Sequence, residues 1–174
     1  GMTAQWDDDI HHAIHAAVSG ERQGYYADFG SLATLAKTLK NGYYHAATYS
    51  SFRGRRHGRP LDTATIPGSR LLAYTVTHDQ VGNRPFGDRL VERVDRVALD
   101  AAIALQLLCP QIPLIFMGEE GASRTPFLFF TDHHGDLAKA VREGRRREFA
   151  AFKGFHDGET ADSIPAPNAP ATFE

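Results

Sequence analysis

An apolar, β-branched run, Leu71-Leu72-Ala73-Tyr74-Thr75-Val76-Thr77, delivers the ionisable pair His78-Asp79 into a turn that contains Gly82. The pattern predicts a buried strand with a carboxylate at its C-terminal tip, where α/β folds set their reacting groups. Asp79 could equally bond the backbone of its own turn, as Asp often does. A second pair of acids, Glu119-Glu120, closes the run Ile112-Pro113-Leu114-Ile115-Phe116-Met117-Gly118. Between the two runs lies a helical pattern from about Asp88 to Leu108, so the segment reads as a strand-helix-strand unit. Such a unit implies parallel strands with a right-handed crossover, which would bring Asp79 and Glu119-Glu120 to one edge of the sheet. Phe127, Phe129 and Phe130 follow. Carboxylates for chemistry and flat apolar rings for stacking are what a sugar-cleaving cleft requires. Glycoside hydrolysis uses two carboxyl groups about the scissile bond, roughly 5 to 5.5 Å apart when configuration is retained. The same rings would serve as well in a core.

Other candidates are weaker. His11 and His15 stand one turn apart on a predicted helix, with His12, Asp7, Asp8 and Asp9 nearby, and could share a metal ion. With no third ligand in the pattern, solvated helix residues are the better reading, and no metal site is assigned. Ser50 to Pro60, with Arg53, Arg55, Arg56 and Arg59, reads as a long basic loop, ordered and near a ligand. The chain has no G-x-S-x-G elbow, phosphate loop or G-x-G-x-x-G, so serine-hydrolase, nucleotide and Rossmann readings lack their minimum parts.

The elements that must position these groups follow from periodicity. Ile10, Ala13, Ile14, Ala17 and Val18 predict a helix over Asp7 to Ser19 that stops at Gly20, with Trp6 at a strand end just before it. Ser31 can cap a second helix whose stripe is Leu32, Leu35 and Leu39, ending at Asn41-Gly42. A last helix runs from Asp136, with Leu137, Val141, Phe149 and Phe152 on one face and Arg142, Arg145, Arg146 and Arg147 on a solvated one. After Gly158, the residues Pro165, Pro167 and Pro170 suggest a linker. The 174 residues suit one domain of ordinary size, and a formal charge of −2 gives no footprint for nucleic acid. A single Cys109 excludes an internal disulfide and fits a reducing compartment, with cytoplasm as the default. No run is apolar for long enough to span a bilayer, and no signal-peptide pattern opens the chain. Gly1 ahead of Met2 reads as a remnant of cloning.

Four segments then resemble one family in order and spacing: Thr77-His78-Asp79-Gln80-Val81-Gly82-Asn83-Arg84, Ile112 to Glu120, Phe129-Phe130-Thr131-Asp132-His133, and Val141 to Phe149. Upstream, Gln5-Trp6-Asp7-Asp8-Asp9-Ile10-His11-His12, Gly24-Tyr25-Tyr26-Ala27-Asp28-Phe29-Gly30 and Tyr49 to Gly58 extend the likeness to almost the whole chain. Together they resemble the α-amylase family of glycoside hydrolases, in its malto-oligosyltrehalose trehalohydrolase branch. Thr77 stands where that family more usually carries Asn.

The resemblance implies a (β/α)8 barrel that hydrolyses the α-1,4 bond next to a terminal trehalose unit by a retaining mechanism, without a cofactor. It carries over Asp79 as the carboxylate that stabilises the transition state. His78, Gln80, Asn83, Arg84, Glu119, Asp132 and His133 become the substrate-binding residues. The family's nucleophile, in a G-x-R-x-D type motif on the fourth strand, and its general acid Glu on the fifth have no counterpart in this sequence. An eight-unit barrel takes about 250 residues, so the chain is expected to be a partial barrel, α/β, from about strand 6 to helix 8. It should be predominantly helical with about three parallel strands, over residues 1–158, with a proline-rich tail over 159–174. Such a sheet has an uncovered apolar face, to be covered by the N-terminal half of the barrel or by a second copy. The expected ligand is an α-glucan or maltooligosyl trehalose, and the chain alone is expected to be inactive. The alternatives are a non-catalytic split subunit or remnant that at most binds glucans, and α-amylase or branching specificity in the same fold.

Overall fold

The computed structural model describes residues 2–150 and 161–173, which fall into two compact units. The first unit takes Gly1–Thr77 and Arg93–Ala122, and the second takes His78–Glu92 and Ser123–Glu174.

The first unit is built on a parallel sheet of three short strands, β1 (Gln5–Trp6), β4 (Leu71–Ala73) and β5 (Ile112–Pro113), in the order β1-β4-β5. Gln5 and Trp6 pair with Leu71 and Leu72, and Leu72 and Ala73 pair with Ile112 and Pro113. Helix α1 (Asp8–Ser19) starts where Asp7 caps it, its Oδ1 accepting from the Ile10 amide at 3.2 Å. Ile10 and Ile14 of α1 meet Ala73 of β4 and Ala102 of α4 (Arg96–Leu108) in the core between sheet and helices. Burying each isoleucine contributes roughly 1.5–3 kcal/mol. Ala13 and Ala16, on the neighbouring face of α1, pack on Phe29.

Helix α2 (Leu32–Asn41) is capped by Ser31, which accepts from the Thr34 amide at 3.1 Å. Its buried face differs from the expected leucine stripe, because Leu32 is 75% exposed while Thr34 and Thr38 are buried beside the partly buried Leu35 and Leu39. Thr38 can go inward because its hydroxyl donates to the Thr34 carbonyl at 2.9 Å. The expected basic loop is an antiparallel hairpin of β2 (Thr48–Ser50) and β3 (Arg55–His57). Gly58, at φ +74°, leaves the hairpin so close to the His45 carbonyl that a Cβ there would lie 1.5 Å from the oxygen.

Three other expectations are corrected here. Strand β4 ends at Ala73, because the next residues spend their polar groups outside the ladder. The Tyr74 hydroxyl donates to Asp8, the Thr75 carbonyl accepts from His11, and the Thr75 hydroxyl donates to Glu119. Strand β5 likewise stops at Pro113, and Glu119–Gly121 form a 3-10 turn after Gly118. Helix α4 starts at Arg96, not Asp88, where Asp95 accepts from the Val97 and Ala98 amides at 2.8 and 3.3 Å. Along α4, β5 and the loop that follows it, Val97, Leu107, Leu108, Ile112, Ile115 and Met117 are all exposed.

The second unit holds α3 (His78–Gly82) and α5 (Gly135–Ala150). His78 and Asp79 therefore open a short helix, five and six residues past the end of β4, and are not a strand tip. The buried stripe of α5 is Ala138, Arg145 and Phe149, with Val141 partly covered. Leu137 is 54% exposed and Arg145 only 8%, so the expected solvated arginine face loses Arg145 to the interior. Phe152, expected on the apolar face, lies outside the described residues. The proline-bearing segment after it is packed. Ile164 and Pro167 are buried, the Thr131 amide donates to the Pro167 carbonyl at 2.9 Å, and Phe173 meets Phe130 at 5.1 Å.

Candidate functional site

His78 and Asp79 are the two outward-facing residues of α3, 65% and 68% exposed in their side chains, with Nε2 3.5 Å from Oδ1. Val81 and Gly82, on the other side of the same turn, are buried. A five-residue helix is far too short to hold its own shape, so its surroundings must fix it. The Asp79 carbonyl accepts from the Asn83 amide at 2.9 Å, and the Arg145 guanidinium donates to the Gly82 and Arg84 carbonyls at 3.1 and 3.4 Å. Further on, the Phe127 amide donates to the Gly87 carbonyl at 2.9 Å and Arg89 donates to the Thr125 carbonyl at 2.7 Å. The result is an open carboxylate on an anchored turn.

The other expected contacts are spread. Gln80 is half-buried and Asn83 exposed on α3 and its exit, while Arg84 is paired with Asp88 at 2.6 Å. Asp132 and His133 lie exposed in the loop before α5, with Asp132 3.7 Å from His134. Glu119 belongs to the first unit, where its carboxylate accepts from the Thr75 hydroxyl and, at 2.6 Å, from the Phe116 amide. Both of its oxygens thus pin the loop after β5 to the exit of β4.

The first unit also holds a group of rings that the sequence reading missed. The edge of Trp6 meets Tyr74 at 5.3 Å, Tyr74 stacks on His11 at 5.1 Å, and His12 stacks on Tyr25 at 4.8 Å. Tyr25 in turn meets Phe52, at the hairpin tip, edge-on at 5.8 Å. Asp28 holds that tip, accepting from the Ser51 amide at 2.8 Å and from its hydroxyl. Tyr25 and Phe52 remain 45% and 56% exposed, so two perpendicular rings stand open on a fastened support.

The histidines expected to be solvated are interior, with His11 at 1% and His15 at 5% exposure. His11 Nδ1 lies 2.7 Å from the Thr75 carbonyl, so that nitrogen carries the proton, and Nε2 accepts from the Tyr26 hydroxyl at 3.1 Å. Burial first, then the neighbouring imidazoles, pushes the pKa of His11 well below the ordinary range, and burial lowers His12 to about 4. Burial likewise raises Asp7 to about 8. Among the described residues no group of three or more His, Cys, Asp or Glu side chains could hold a metal ion. One signal for this interior was legible: no charged residue occurs from Ile10 to Ser19, so α1 has no polar face to turn outward.

The whole chain aligns with malto-oligosyltrehalose trehalohydrolases at 59% identity for Mycobacterium tuberculosis and 52% for Arthrobacter ramosus. The chain corresponds to a segment of the malto-oligosyltrehalose trehalohydrolases that it matches. It spans 29% of the length of each of those two relatives. The Saccharolobus solfataricus trehalohydrolase is 48% identical over 148 residues, which are 84% of this chain and 26% of the relative. A crystal structure from Salmonella typhimurium, provisionally named as an α-amylase, matches with a TM-score of 0.85 and 44% identity over 98% of this chain and 28% of its own. No family model matches. The three parallel strands and their helices are accordingly part of an α-amylase-type barrel. In this trehalohydrolase segment, the exposed apolar side chains of α4 and β5 belong to a barrel of which the chain holds only a portion. No helix among the described residues is long and apolar enough to cross a membrane.

Proposed function

We propose that the protein to which these residues belong is a retaining glycoside hydrolase that cleaves the α-1,4-glucosidic bond beside the terminal trehalose of maltooligosyl trehalose. The observation that carries this reading is 46–59% identity, over almost the whole chain, to four relatives named for that activity, combined with an open Asp79 on an anchored turn. Asp79 supplies fixed negative charge to the oxocarbenium-like transition state, and His78 hydrogen-bonds beside it. Gln80, Asn83, Arg84, Asp132 and His133 contact sugar hydroxyls, Arg84 by exchanging its bond to Asp88.

The nucleophile and the general acid come from the rest of the protein, whose residues also cover Leu107, Leu108, Ile112 and Ile115. The 174 residues alone therefore bring one of three catalytic carboxylates and release no trehalose. The enzyme works in the cytoplasm, in keeping with one half-buried Cys109 whose thiol donates to the Gln106 carbonyl. The provisional name of the Salmonella structure favours α-amylase specificity as the second reading. Product analysis of the complete enzyme on maltooligosyl trehalose decides between them. Trehalose with a shortened maltooligosaccharide is expected, whereas glucose and maltose cut from inner bonds, with the trehalose end left attached, would overturn the first reading.

A further inference from the structure

The geometry of the second unit points to Arg145 as a positioning residue for Asp79, a role that rests on the functional reading above. Arg145 reaches the end of α3 from α5, where it is 8% exposed, and it sits with its guanidinium 4.2 Å from the Phe129 ring centre and 5.2 Å from that of Phe149. Packed against two rings, the planar group can point its donors in few directions.

Its donors meet a specific need. The last carbonyls of a helix have no partner within the helix, and Gly82 is buried, so its carbonyl oxygen would be costly to leave unpaired. Arg145 donates to it at 3.1 Å and to the Arg84 carbonyl at 3.4 Å. The Asp79 carbonyl is tied to this stretch by the Asn83 amide at 2.9 Å, so the backbone that Arg145 holds is the turn that carries the carboxylate. Arg145 touches no substrate in this account. It helps to fix the height and tilt of a five-residue helix that is too short to hold its own shape.

Catalytic groups must sit within a fraction of an ångström of their place, and a shift of about 1 Å costs about 10²-fold in rate. Loosening the end of α3 should thus lower kcat by more than it raises KM, since Gln80, Asn83 and Arg84 share the turn with Asp79. A lysine at this position keeps the charge but has neither the planar stacking surface nor the fork.

The test is steady-state kinetics of trehalose release by the complete enzyme, with thermal melting alongside, for Arg145→Met, Arg145→Lys, Asp79→Asn and the double variant Asp79→Asn with Arg145→Met. Arg145→Met is expected to lower kcat at least about tenfold with a smaller rise in KM, and Arg145→Lys to lower kcat less. In the Asp79→Asn background the Arg145 change should have no further effect on residual turnover, because its action passes through Asp79. If Arg145→Met does not fold, Arg145→Lys carries the same comparison. Unchanged kcat in the folded Arg145 variants, or an equal further loss in the Asp79→Asn background, overturns the positioning role alone. Full trehalose release by Asp79→Asn overturns the functional reading, and the positioning role with it.

Discussion

Asp7 and Asp79 are both carboxylates that follow a strand of the parallel sheet, one directly after β1 and the other six residues after β4, yet the molecule treats them in opposite ways. Asp7 is fully buried, caps α1, and is held protonated toward pH 8 by the loss of solvent around it. Asp79 stands two-thirds exposed on a turn whose underside is buried. Proximity to a strand end thus does not decide whether a carboxylate is exposed. What separates the two is whether the carboxylate or the backbone beneath it is the buried part.

That contrast is open to attack by substitution. The largest effect is expected at Asp79: replacement by alanine in the complete enzyme should lower kcat about 10³-fold while the melting temperature stays within about 1 °C. Gly87→Ala should come next and act on stability. At φ +62°, its new Cβ would lie 2.3 Å from the Phe127 carbonyl oxygen, and a loss of about 2 kcal/mol is expected in denaturant unfolding. Gly82→Ala, whose Cβ meets nothing closer than Phe129 Cα at 3.9 Å, should be nearly silent in the same assay. Asp7→Ala should remove a helix cap worth about 1 kcal/mol, and any effect on turnover should track the fraction unfolded. A stability-neutral Gly87→Ala would mean that the support beneath α3 is soft, and the contrast with Asp7 would fade.

The smallest effect is in the pH dependence, where the signs oppose. The folded state keeps the Asp7 proton up to about pH 8 against 3.8 in the open chain, so this group's stabilisation is full below 3.8 and is lost as pH rises through 8. His12 has the reverse sign, because its folded value of about 4 lies below the ordinary 6.5. Its contribution is full above 6.5 and is lost as pH falls through 4. Melting temperatures from pH 4 to 8.5 should therefore show Asp7→Asn flattening the alkaline decline and His12→Phe flattening the acid one. The opposite assignment of limbs would contradict the burial of these groups.

How far the sequence reaches is clear from particular residues. Helix α1 and its core were legible because Ile10, Ala13 and Ile14 recur at helical spacing and Asp7 and Gly20 bracket them. The parallel pairing of β4 with β5 was legible as well, since a helix joins two apolar runs. Leu32 and Leu137 misled, because periodicity marks which residues could be buried but not where a neighbouring element ends. Arg145 misled in the other direction. A buried arginine depends on two rings and two carbonyls, and α3 and Phe129 lie far from it in sequence. The same holds for His11, whose partners Tyr26 and Thr75 are 15 and 64 residues away. At the site, residue identity pointed to Asp79, while the short helix beneath it needed tertiary contacts to be seen.

On the proposed function, these residues contribute one carboxylate to a chemistry completed elsewhere in the protein. That contribution is tested most directly by assaying trehalose from maltooligosyl trehalose with the 174-residue chain alone, then with the complete enzyme at equal concentration. Release by the complete enzyme and none by the chain is expected. Robust release by the chain alone, abolished by Asp79→Ala, would contradict it.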